Sequence, residues 1–125
     1  MRILLVDDEV ELVSALAERL ELRGIEVAWA GSGKDALALA ASQDFDLAVL
    51  DVKMPGMGGL ALKERLAEKH PGLKFIFLTA YGSEQDFNCV ASDIGAQFYL
   101  VKPVAIEELI AAIKTTLEED GQGDE

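Results

Sequence analysis

Hydrophobic residues follow two alternating rhythms along this chain. Short apolar runs rich in Val, Ile, Leu and Phe occupy positions 3–6, 25–30, 47–50, 75–78 and 98–101. Between them lie longer segments with helical spacing. Val13, Leu16, Ala17 and Leu20 fall at i, i+3, i+4 and i+7, and so do Phe87, Val90, Ala91 and Ile94. Ile106, Leu109, Ile110, Ile113 and Leu117 repeat the pattern near the C-terminus. Two further helical segments are predicted at 34–42, alanine-rich, and 60–70, where Leu62 and Leu66 lie one turn apart. Asp8, Ser32 and Ser83 stand where N-caps belong, and Ser83 with Asp86 approximates a capping box. Gly24, Gly95 and Pro71-Gly72 follow helical segments as stop signals. Five strand–helix units in succession predict an α/β fold, with apolar strands buried on both faces of a parallel, doubly wound sheet.

The length of 125 residues suits one domain and a single buried core. We expect the domain over residues 1–119, followed by a flexible acidic tail over 120–125. Acidic residues outnumber basic ones by 23 to 11, for a formal net charge of -12. Such a field repels phosphate backbones and anionic membranes, so neither nucleic-acid nor membrane binding is expected of this chain. One cysteine, Cys89, cannot form an internal disulfide, and a single histidine, His70, excludes zinc sites built from His and Cys. No apolar stretch approaches the roughly 18 residues that span a bilayer, and a cytoplasmic location is expected. His70 reads as an ordinary helix-end residue, and Cys89 has no evident base beside it.

In an open parallel sheet, ligands bind beyond the C-terminal ends of the strands. The first strand delivers Asp7 and Asp8 there, the third Asp51, the fourth Thr79 and the fifth Lys102. The second delivers only Gly31, Ser32 and Gly33. Singly, each has an ordinary explanation: Asp8 as a cap, Asp51 as a turn residue, Thr79 as a strand residue, Lys102 as a solvated lysine. Their joint placement on one rim does not. Two unit charges 4 Å apart at an effective dielectric of 20 repel by about 4 kcal/mol, so three adjacent carboxylates need a cation. Lys102 neutralises one charge, and the remaining oxygen cluster suits Mg²⁺, which favours a few carboxylates plus water and phosphate oxygens. Asp51 is then placed as a nucleophile towards a phosphoryl group, with Mg²⁺, Lys102 and the Thr79 hydroxyl on its charged oxygens.

These residues resemble the CheY-like receiver domains of two-component response regulators. The matching pieces are Val6-Asp7-Asp8-Glu9, the run from Leu50-Asp51-Val52-Lys53-Met54-Pro55 to Gly58-Gly59, Leu78-Thr79-Ala80 and Tyr99-Leu100-Val101-Lys102-Pro103. The resemblance runs from Arg2 to about Leu117. It implies a flavodoxin-like five-stranded sheet in the order 2-1-3-4-5, with Asp51 as phosphoacceptor. Asp7, Asp8, Asp51 and the backbone carbonyl of Lys53 would hold Mg²⁺. Thr79 and Lys102 would contact phosphoryl oxygens, Thr79 and Tyr99 would form the switch, and Ala80 would keep the pocket open. The Lys102–Pro103 peptide would be cis, which proline makes accessible. A sensor histidine kinase would donate the phosphoryl group. The face of the fourth helix, fifth strand and fifth helix (residues 83–94, 97–101 and 106–117) would then meet an output domain, a downstream protein or a second copy.

Gly58 stands where the family often has Asp, which should loosen the loop after the acceptor. Lys53 and Tyr81 would tune the acyl-phosphate lifetime. Residues 78–83 resemble receivers of nitrogen-regulation-type activators, which leaves a stand-alone receiver and an excised domain both open. A haloacid-dehalogenase-type phosphatase would need a second Asp where Lys53 stands. A flavodoxin would need a hydroxyl-rich loop where Asp7-Asp8-Glu9 stands. A receiver acting only as an unphosphorylated docking module need not keep the acidic set and Lys102. The chain is thus expected to be a phosphorylation-dependent signalling switch and not an enzyme, catalysing only its own phosphorylation and slow dephosphorylation.

Overall fold

A computed structural model describes residues 1–79 and 98–122, with the side chains of Thr79, Phe98, Tyr99 and residues 119–122 outside the description. The expected fourth helix with Phe87, Val90, Ala91 and Ile94 lies outside the described residues. So do Ser83, Asp86, Gly95, Ala80, Tyr81 and Cys89. Five strands, β1 (Arg2–Val6), β2 (Glu26–Ala30), β3 (Leu47–Asp51), β4 (Lys74–Thr79) and β5 (Phe98–Val101), form one sheet. Its order is β2-β1-β3-β4-β5, all neighbours parallel. Helices α1 (Val10–Leu22), α2 (Gly33–Ser42) and α3 (Gly59–Lys69) and a C-terminal helix (Ile106–Gln122) cover its two faces.

Alternation along each central strand divides the core in two. Ile3, Leu5, Leu47, Val49, Ile76, Leu78 and Leu100 face α1 and the C-terminal helix, packing on Leu16, Leu20, Leu109 and Ile113. Leu4, Val6, Ala48, Leu50, Phe75 and Phe77 face α2 and α3, packing on Ala36, Ala40, Leu62 and Leu66. β3 is buried throughout, as a central parallel strand covered on both sides should be. β2 departs from the expected two-sided burial. As an edge strand it leaves Glu26 exposed and Trp29 39% exposed.

Local chemistry sets the element ends. Ser32 caps α2, its hydroxyl accepting from the Asp35 amide. Gly24, at φ 83°, lets the chain leave α1 through a left-handed residue, with the Gly24 amide donating to the Glu21 carbonyl. Asp8 is not the cap expected from the sequence. The Glu9 amide is taken by Asp7 Oδ1, the Val13 amide donates to the Glu9 carbonyl, and the helix starts at Val10 with Glu9 at the N-cap. At the other end the C-terminal helix reaches Gln122, entering the segment expected as a tail. The run Glu118–Glu119–Asp120 contains no helix breaker ahead of Gly121. Among the described residues, no helix is long and apolar enough to cross a membrane.

Candidate functional site

Parallel register brings the strand ends to one rim. Asp51 pairs with Leu78 across β3 and β4, and Thr79 with Val101 across β4 and β5. Asp7 leaves β1 with its amide bonded to the Ala30 carbonyl, and Lys102 directly follows β5. Helix α3 is brought hard against the acceptor strand by Gly59, whose amide donates to the Val52 carbonyl at 2.9 Å. A Cβ at Gly59 would collide with the Asp51 carbonyl oxygen.

Carboxylate oxygens of Asp7, Asp8 and Asp51 all lie within 4.8 Å of one another. Asp7 and Asp51 are buried and Asp8 is exposed. The Lys102 ammonium stands among them, 2.8 Å from Asp7 Oδ2, 3.3 Å from Asp51 Oδ2 and 2.8 Å from Glu9 Oε1. Asp7 Oδ2 accepts no well-directed hydrogen bond among the described residues, so its contact with Lys102 is electrostatic rather than directional. An open cleft lined by Asp8, Glu9, Leu12, Asp51, Lys53, Lys102 and Pro103 leads in from solvent. The Lys102–Pro103 peptide is cis.

Electrostatics follow from this crowding. Burial, and next the charge of Asp7, push the Asp51 carboxyl up to about 7, against the opposing pull of Lys102. Burial alone would lower Lys102, but its contacts with Asp7 and Glu9 and the charge of Asp51 outweigh that and hold the ammonium above its ordinary range. The site thus carries more negative charge than one lysine neutralises. Three carboxylate oxygens that lie within 4.8 Å of one another, two of them on buried residues, fit a hard divalent cation.

The structure brings together Asp7, Asp8, Asp51 and Lys102, four of the residues singled out from the sequence. Lys53 lines the same cleft. Thr79 and Tyr99 are placed by backbone alone, Thr79 at the rim and Tyr99 within β5 opposite Phe77. Glu9 received no role from the sequence. Its position next to an acidic pair was visible, but its contact with a lysine 93 residues away depends on the fold.

The model of the response regulator receiver domain family matches residues 3–114. The chain belongs to that family. This receiver domain is 42% identical over 116 residues to the transcriptional regulatory protein CpxR of Klebsiella pneumoniae, covering 93% of this chain and 49% of that protein. It spans about half the length of the curated relatives it matches. A CheY-like receiver domain protein from Methanospirillum hungatei superposes with a TM-score of 0.87 at 34% identity, covering 98% and 97% of the two chains. The response regulator TrrA of Thermotoga maritima, crystallised in complex with Mg²⁺-BeF, gives 0.77 at 36% identity, covering 93% and 98%. Receiver domains of response regulators work as signalling switches between histidine kinases and output domains.

Proposed function

We propose that this receiver accepts a phosphoryl group on Asp51 from a sensor histidine kinase, in the cytoplasm, and passes the change to an output domain or partner. The observation that carries the reading is the convergence of Asp7, Asp8 and Asp51 within 4.8 Å around the Lys102 ammonium. Asp7, Asp8, Asp51 and the Lys53 carbonyl would hold Mg²⁺, and the Mg²⁺-BeF complex of TrrA supports that choice of ion. When bound, Mg²⁺ supplies positive charge that offsets the carboxylates and the incoming phosphoryl oxygens.

Asp51 is the nucleophile. One of its oxygens forms a bond to phosphorus while the bond from phosphorus to the donor imidazole nitrogen breaks, the electron pair leaving on that nitrogen. Lys102 is already 3.3 Å from Asp51 Oδ2, so its charge is in place before transfer. Thr79, at the end of β4, is assigned the hydrogen bond to the phosphoryl group, and Tyr99 the aromatic movement that follows. The C-terminal helix and β5 belong to the responding face, which meets the output partner or a second copy. The receiver unit occupies residues 1–119, with 120–125 as its acidic extension.

Intact-mass analysis after incubation with acetyl phosphate tests the reading. A phosphoryl adduct that needs Mg²⁺, is labile to hydroxylamine and is absent in Asp51→Asn is expected. No adduct, together with no binding of beryllofluoride, would overturn it.

A further inference from the structure

Glu9 is placed unusually for a carboxylate at a helix start. It occupies the N-cap of α1, yet its side chain makes no cap hydrogen bond. Instead Oε1 accepts from the Lys102 ammonium at 2.8 Å, across 93 residues of sequence. The backbone of Glu9 is pinned on both sides, its amide by Asp7 Oδ1 at 2.9 Å and its carbonyl by the Val13 amide at 3.0 Å. The carboxylate itself is 62% exposed, whereas those of Asp7 and Asp51 are 2% and 7% exposed. Lys102 thus pairs with three carboxylates, of which Glu9 is far easier to release than the other two.

We propose that Glu9 is a positioning residue that holds Lys102 in a resting arrangement and competes with the incoming phosphoryl group for it. This inference rests on the phosphoacceptor reading of Asp51. A phosphoryl oxygen on Asp51 competes for the N–H group that the resting lysine donates to Glu9. Asp7 and Asp51 are fixed at the ends of buried strands, and Asp7 cannot turn to water. Glu9 swings into solvent at little cost, because water replaces its ion pair. The residue therefore sets a threshold on phosphorylation without touching the reacting atoms.

The test compares initial rates of adduct formation with acetyl phosphate at saturating Mg²⁺ in the wild type, Glu9→Gln and Glu9→Asp. Mg²⁺ affinity is measured separately for each. Glu9→Gln removes the competing charge and should raise the rate about two- to fivefold, the range set by an exposed ion pair. Glu9→Asp keeps the charge but withdraws it by one methylene from Lys102, and should also accelerate. An unchanged or slower rate in Glu9→Gln overturns the proposal. Acceleration in Glu9→Gln that Glu9→Asp does not share also overturns it, because the charge would then act on the donor directly. Absence of any adduct in the wild type would instead sink the phosphoacceptor reading itself.

Discussion

Asp51 sits where opposing influences meet, and their balance gives it a measurable signature. Burial and the charge of Asp7 raise its carboxyl to about 7, although Lys102 lies 3.3 Å away. An unfolded Asp titrates near its ordinary value of 3.8. Between those values the folded chain binds more protons than the unfolded chain, so this group's contribution to stability falls as pH rises through the window. The metal-free protein should therefore lose stability from pH 4 to pH 7 on account of Asp51. Asp51→Asn should exceed the wild type by about 1–3 kcal/mol at pH 8 and lose that advantage near pH 4. Urea denaturation at several pH values checks this, and a constant difference across the range would refute the electrostatic origin. Added Mg²⁺ should narrow the gap at pH 8, since a cation relieves the same repulsion that a neutral amide removes.

Elements hold the site in register, and two helix starts separate scaffolding from chemistry. Ser32 caps α2 beyond β2, the strand that brings no carboxylate to the rim. Ser32→Ala should cost about 1 kcal/mol of stability and leave phosphorylation by acetyl phosphate unchanged. Gly59 starts α3 directly under the acceptor strand, where an added Cβ meets the Asp51 carbonyl. Gly59→Ala should cost about 1–3 kcal/mol and also slow adduct formation, because relief of the clash displaces the Asp51 backbone. Thermal melts paired with the mass assay distinguish the two, and equal phosphorylation in both variants would deny Gly59 its role. The strands were legible as short apolar runs, and α1 and the C-terminal helix by their 3.6 spacing; the structure buries Val13, Leu16, Ala17 and Leu20, and Ile106, Leu109 and Ile113, as that spacing requires. The acidic rim was legible because strand ends in a parallel sheet share one side. The exposure of Trp29 was not, since pattern alone does not tell an edge strand from a central one. Nor was the start of α1. Which of Asp7, Asp8 and Glu9 caps the helix is decided by the Asp7 side chain folding back onto the Glu9 amide, a contact with no sequence signal.

At the scale of the whole molecule, the formal charge of -12 acts on top of the local cluster. Self-repulsion destabilises the compact state, and the same field raises the concentration of cations near the acidic rim. Monovalent salt screens both over a length of about 10 Å at 0.1 M. The two effects predict opposite responses. Raising NaCl should increase the melting temperature of the metal-free receiver, because the exposed charges distributed over both helical layers repel less. The further rise produced by a fixed low Mg²⁺ concentration should shrink in the same series, because the divalent ion loses the attraction of the distant charges and keeps only that of Asp7, Asp8 and Asp51. The residual Mg²⁺ effect at high salt then measures the local site alone, and Asp8→Ala should abolish it while leaving the NaCl response of the metal-free protein in place. If the Mg²⁺ effect vanished at high salt even in the wild type, the ion would be held by the general field, and the three-carboxylate site would not be its seat.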